Sequence, residues 1–188
     1  MRISISGPPG SGKTTICALV AKKLDCEYVL IGQIFRQMAS ERGVNLEVFG
    51  RLAEEDETID KELDKRMVAI AKANERIVLE GRLTGALLKW HKIPVFTVYV
   101  DADEQVRAQR IAQREGVPVD VVTKQMRIRE RSEKKRYHAY YGIDPTDRSM
   151  YDLWIDSSSL TAEKVADTIV EKARKADVRD ADQVEAAD

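Results

Sequence analysis

Residues 7–14 read GPPGSGKT, directly behind the apolar run RISIS and ahead of ICALVA, and this octapeptide constrains the chain more than any other feature. It matches G-x-x-x-x-G-K-[ST] in the strand, turn, helix setting that gives the pattern its meaning. Gly7, Gly10 and Gly12 allow torsions closed to other residues and a close backbone approach, so successive N–H groups can turn inward around phosphate oxygens. The following helix adds the partial positive charge of its N-terminus, Lys13 can reach β- and γ-phosphates, and the Thr14 hydroxyl can ligate Mg2+. The loop as a whole, with Pro8, Pro9, Ser11 and Thr15, is therefore read as the seat of the ATP polyphosphate. A glycine-rich turn that binds nothing would explain neither the lysine, nor the threonine, nor their spacing.

Short runs rich in β-branched or aromatic residues predict strands at 2–6, 27–31, 76–80, 94–100 and 151–156. Helical spacing fills the intervals at 14–24, 32–42, 46–55, 58–74, 84–91, 104–115, 119–141 and 161–176. This alternation implies a parallel sheet covered on both faces, an α/β fold of the three-layer P-loop NTPase kind with five parallel strands. Two helical stretches, about 33–74 and 110–142, interrupt the simple alternation and are expected to lie over the carboxyl ends of the strands, where such insertions serve as lids.

A chain of 188 residues fits one domain, expected over 1–176, and the final DVRDADQVEAAD (177–188) reads as a flexible acidic tail. Lysine plus arginine number 31 against 32 aspartate plus glutamate, so net charge argues for neither a nucleic acid nor a membrane partner. With no secretory signal and no long apolar run, the expectation is a soluble, cytoplasmic monomer acting on small molecules. Cys17 and Cys26 form neither a disulfide framework nor a metal set, and Cys17 among ICALVA reads as a small core residue.

Neither N-K-x-D nor D-x-x-G occurs, which disfavours a guanine-nucleotide switch, and the chain leaves little room for a motor's partner domain. Phosphoryl transfer remains, and it asks mainly for positioning and for positive charge around the moving group. Arg36, on the first turns after the second strand, is suited to grip an acceptor phosphate. Arg82 follows the third strand at once, with Glu80 before it placed to hold a Mg2+-bound water or to orient Arg82. Residues 107–136 carry ten basic side chains against four acids. At about 100° per residue, Arg107, Arg110 and Arg114 share one helix face, and Arg129, Glu133 and Arg136 share another. Two such faces bracketing GVPVD suggest a lid that closes on ATP.

Taken together, GPPGSGKTT, GxxFR at 32–36, EGR at 80–82, RIAQREG at 110–116 and RExSExxRYxxYYGID at 129–144 resemble the nucleoside-monophosphate kinases. Among these the chain is most similar to the archaeal-type cytidylate kinases, over about residues 1–176. The resemblance implies transfer of the ATP γ-phosphate to CMP or dCMP with Mg2+ required. It also implies an acceptor-binding insertion at about 33–74 and a short helical lid at about 110–142. On the same resemblance Arg36 and Arg82 hold the acceptor phosphate, Arg110 and Arg114 belong to the lid over the donor, and Arg129, Glu133 and Arg136 reach the acceptor. Lys13 and the arginines 110, 114, 129 and 136 are then the catalytic set. Other readings are an adenylate kinase, a P-loop kinase for shikimate or a sugar acid, and an RNA-binding or ribosome-assembly ATPase using the basic stretch.

Overall fold

The computed structural model describes the backbone of residues 1–185 and the side chains of residues 1–177. Five strands, β1 (Arg2–Ser6), β2 (Glu27–Leu30), β3 (Ile77–Glu80), β4 (Phe96–Asp101) and β5 (Leu153–Asp156), pair in parallel in the order β2-β3-β1-β4-β5. The sheet and its all-parallel sense agree with the alternation of the sequence. β5 begins later than expected because residues 148–150 form a 3-10 turn, whose first residues are held by the Asp147 carboxylate accepting from Ser149 N (2.9 Å).

Side chains alternate across the pleat, and each face gathers its own core. Ile3 and Ile5 of β1, Val78 of β3 and Val98 and Val100 of β4 pack against α1 (Lys13–Leu24) and α8 (Ala162–Glu185). Cys17 is part of this cluster and fully buried, as its apolar neighbours predict. Ile77 and Leu79 of β3 point the other way, onto α4 (Glu57–Ala73) and α5 (Thr84–Trp90). The backbone of 177–185 continues α8, so the expected acidic tail is helical over that stretch; side chains beyond Asp177, and the backbone of 186–188, lie outside the described residues.

The two insertions each carry a separate small core. Met38 and Ala39 of α2 (Ile31–Glu41), Phe49 and Ala53 of α3 (Leu46–Glu55) and Ile59 of α4 bury one another. Asn45 caps α3 by accepting from Val48 N, and Asp56 starts α4 by accepting from Thr58 N, both at 2.9 Å. A second cluster, Ala108, Ile111, Ala112, Val122 and Met126, zips α6 (Glu104–Glu115) to α7 (Val119–Tyr141). Both insertions rise from the carboxyl edge of the sheet, the edge at which ligands bind in open α/β folds.

Candidate active site

The turn between β1 and α1 depends on glycine. Gly7, Gly10 and Gly12 have φ of 148°, 79° and 91°. A Cβ on Gly7 would stand 2.1 Å from Val100 O, and one on Gly10 2.6 Å from Arg107 O, so β4 and α6 wall the loop from outside. Lys13 opens α1 and is buried; its Nζ donates to Pro8 O (2.6 Å) and lies 4.0 Å from Glu80 at the end of β3. Burial, and after it the nearby Arg82 guanidinium, pull the Lys13 ammonium down to about 7, against the opposing pull of Glu80. Ser11 Oγ is buried without a partner among the described residues, and Thr14 and Thr15 stand exposed on the first turn of α1. A buried ammonium, an orphaned hydroxyl, an exposed threonine hydroxyl and a glycine cradle fit a triphosphate with Mg2+.

Beside this loop opens a cavity of about 520 Å³, walled by α2, α3 and α4 on one side and by α5 and α7 on the other. Glu133, buried on α7, joins its cations: Arg82 NH1 is 2.8 Å from Oε2, and Arg129 Nε donates to Oε1 at 2.9 Å. Burial works to raise the Glu133 carboxyl, but Arg82, Arg129 and Arg136 outweigh it and hold the group below its ordinary value. Arg136 NH1 donates to both oxygens of Asp60 (2.6 and 2.7 Å), and its guanidinium lies over the rings of Phe35 and Tyr137. Residues 129, 133 and 136 thus do share a face, and that face turns into the cavity. Arg82, Arg129 and Lys13 are close enough for each arginine to depress the lysine, so positive charge converges between loop and cavity.

The remaining arginines are placed differently. Arg36 is exposed on α2 and is not among the residues lining the cavity. Arg110 donates to Ser157 Oγ (3.2 Å) and Ser157 O (2.7 Å), and Ser157 Oγ in turn lies 3.0 Å from Ser11 O, so Arg110 braces the segment after β5 against the glycine loop. Arg114 is exposed and, among the described residues, its polar contact is with its neighbour Glu115, at 2.6 Å. It is Arg107, buried, that touches the loop itself, donating to Pro9 O (3.1 Å) while paired with Glu130.

Sequence reasoning passed over several residues of the cavity, notably Arg51 of α3 and Asp60 and Asp64 of α4. A signal was present for the two aspartates: they sit four apart on the same helical stripe as Leu63 and Met67, where a carboxylate is out of place unless it has a task or a partner. Tyr137 and Tyr141 carried a similar signal, four apart beside the basic face of α7. Asp64 accepts a hydrogen bond from the Tyr141 hydroxyl. Among the described residues no helix is long and apolar enough to cross a membrane.

A sequence model of the cytidylate kinase-like family matches residues 2–159. Two similar proteins are the cytidylate kinases of Methanocaldococcus jannaschii, 46% identical over 166 residues, and of Archaeoglobus fulgidus, 42% identical over 170 residues. The matched regions cover 88% and 90% of this chain respectively, and 93% of each relative. Among solved structures, the shikimate kinase from Acinetobacter baumannii in complex with shikimate superposes with a TM-score of 0.61 at 19% identity, covering 93% of both chains. That likeness speaks for the fold alone.

Proposed function

Since this chain belongs to the cytidylate kinase-like family, we propose that it transfers the γ-phosphate of ATP to CMP or dCMP, giving ADP and the nucleoside diphosphate. An oxygen of the acceptor's phosphate forms a bond to the γ-phosphorus while the bond from that phosphorus to the β–γ bridging oxygen breaks. The attacking oxygen is already an anion near neutral pH, so no general base is needed. The residues have only to bring two mutually repelling anions into line and to stabilise the charge on the group between them.

The observation that carries this reading is the convergence of Lys13, Arg82 and Arg129 around buried Glu133, where the glycine loop meets the cavity. The loop 7–15 holds the donor tail, with Lys13 on its β- and γ-phosphates. When bound through the Thr14 hydroxyl, Mg2+ would supply charge neutralisation on the triphosphate, and Glu80, 4.0 Å from Lys13 Nζ, would be the residue to orient its water. Arg82, Arg129 and Arg136 receive the acceptor, with Glu133 fixing the first two. Exposed Arg36 reaches the acceptor phosphate as the insertion closes; it forms no ion pair among the described residues that would restrain it. Residues 33–74 are the acceptor-binding insertion and 110–142 the lid, which Arg110 and Arg114 bring toward the donor. The separate cores of these two pieces support movement of each as a unit.

The test is ADP release with ATP and Mg2+ across CMP, dCMP, UMP, AMP and GMP. CMP and dCMP are expected to turn over fastest. AMP as the preferred acceptor would make the protein an adenylate kinase, and turnover independent of any monophosphate would overturn the reading.

A further inference from the structure

The cavity is graded along its length. At the loop end Glu133 sits between Arg82 and Arg129; next along α7 come Arg136 and Asp60; beyond them come Tyr141 and Asp64. Glu133 and Tyr141 are eight residues apart on one helix, about 12 Å along its axis, a length on the scale of a mononucleotide. With the acceptor's phosphate among the arginines, its base arrives at Asp64.

The two aspartates of α4 are not equivalent. Both oxygens of Asp60 receive Arg136 and are spoken for. Asp64 accepts only from Tyr141 among the described residues, and on Oδ2, which leaves Oδ1 without a donor. Its side chain is half-buried, in a cavity whose lining also includes Leu63, Met67, Leu87, Phe35 and Tyr137. A carboxylate tied down on one oxygen and open on the other, in a cavity of about 520 Å³ that also presents aliphatic and aromatic side chains, is suited to read the edge of a base. We infer that Asp64, held by Tyr141, accepts the exocyclic amino group of cytosine and so selects cytosine over uracil.

The chemistry discriminates because an ionised carboxylate only accepts. It pairs with the N4 amino group of cytosine. Uracil carries a carbonyl oxygen at that position, which would set two acceptors face to face with neither satisfied, the situation a polar site rejects most strongly. The contact tells amino from carbonyl and not pyrimidine from purine, so the rejection of adenine falls to the apolar walls.

The same contact has a pH signature. Burial raises the Asp64 carboxyl to about 6, with Tyr141 and Arg136 pulling down and Asp60 pushing up. The same cavity is lined by Arg129, Glu133 and Tyr137 of α7, by Glu47, Arg51 and Glu54 of α3, and by Glu80 and Arg82 at the end of β3, while α2 and α5 present no titratable side chain to it. Below about pH 6 the protonated Asp64 gains a donor that the uracil carbonyl can accept, so the preference for cytosine narrows. The acceptor phosphate titrates nearby, but identically in CMP and UMP, and cancels in their ratio.

This inference rests on the proposed CMP activity, and the experiment separates the two. Steady-state kinetics with CMP and UMP are compared for the wild type and Asp64→Asn, whose amide offers a donor. The CMP-to-UMP ratio of kcat/KM is expected to fall roughly 10- to 100-fold, with kcat/KM for UMP rising in absolute terms and the change residing mainly in KM. A purely structural aspartate would lower both substrates together. Should Asp64→Asn not fold, the ratio followed in wild type from pH 8 to 5 decides: it is expected to contract near pH 6, and at a higher pH in Tyr141→Phe, which removes a bond that favours the ionised carboxyl. A ratio unchanged by substitution, or flat with pH, overturns the role of Asp64 and leaves the CMP activity standing. A wild type that uses neither CMP nor dCMP overturns both.

Discussion

The two ends of the proposed active-site cleft are built on different principles. The donor end is a run of nine consecutive residues, 7–15, whose working groups are mostly backbone amides and whose shape follows from glycine torsions. The acceptor end is assembled from side chains on five helices and the end of β3, and pairs such as Arg136 with Asp60 join positions 76 residues apart. A site made of backbone tolerates change almost anywhere except in its own few residues. One made of scattered side chains depends on the packing of every element that carries them.

The largest effect that would test this contrast is Lys13→Ala. Turnover should fall roughly 100- to 1000-fold or more, because the buried ammonium proposed to meet the transferred group is lost. Folding should not suffer. Burial already works against the charged lysine, its hydrogen bond is to a loop carbonyl, and its ion pair with Glu80 is a long one at 4.0 Å, so little stability should be lost with it. Unchanged thermal unfolding with collapsed turnover fits a locally built donor end; turnover close to wild type would break the assignment.

Glu133→Gln probes the other end, and there activity and stability should fall together. An amide cannot neutralise Arg82 and Arg129, so two guanidiniums are left facing each other and Lys13. A loss of about 2–4 kcal/mol is expected, less than for a fully sealed pair because the Arg129 side chain is 42% exposed. Turnover should drop roughly 10- to 100-fold as the arginines lose their aim. Saturating CMP should raise the unfolding temperature of the variant more than that of wild type, since the acceptor's phosphate replaces the missing negative charge. Equal shifts would mean that Glu133 orients nothing.

The same contrast explains what could be read from the chain before it was folded. GPPGSGKT announced its chemistry because the motif is contiguous, and the strands and helices were legible because each repeats its apolar spacing locally. Arg129, Glu133 and Arg136 were legible as one face because a single helix carries them. What was not legible was the partner of that face. Nothing in the stretch around Asp60 says that it meets Arg136, and only the crossing of α4 and α7 makes the pair. Arg107 was passed over in favour of Arg110 and Arg114 for a related reason: all three share a helical face, but only coordinates tell which turn of α6 abuts Pro9.

A smaller effect sharpens the comparison by pH. In the free protein Lys13 loses its proton near pH 7, and phosphates in contact with it restore the charge. The bound lysine therefore has the higher pKa, so above about pH 7 ATP binding takes up a proton, and affinity falls by as much as tenfold per pH unit. Titration calorimetry at pH 8 in two buffers of different ionisation enthalpy should report an uptake approaching one proton, absent in Lys13→Ala. Uptake that persists in that variant would move the titrating group elsewhere in the cleft.

The smallest effect expected is that of Arg114→Ala, and it bears on whether the lid adds a third kind of construction. Arg114 is exposed, and its pair with Glu115 is of the surface type that contributes little, at most about 1 kcal/mol. Stability should not change measurably. Yet α6 and α7 share a core of their own and Arg107 already ties this hairpin to the glycine loop, so a modest rotation of the pair as a unit would carry Arg114 toward the donor. The KM for ATP should then rise several-fold, roughly what one solvent-exposed cation on a phosphate contributes, with KM for CMP unmoved. A matched rise in both would place Arg114 between the two nucleotides, and no rise in either would leave lid closure to Arg107 and Arg110 alone.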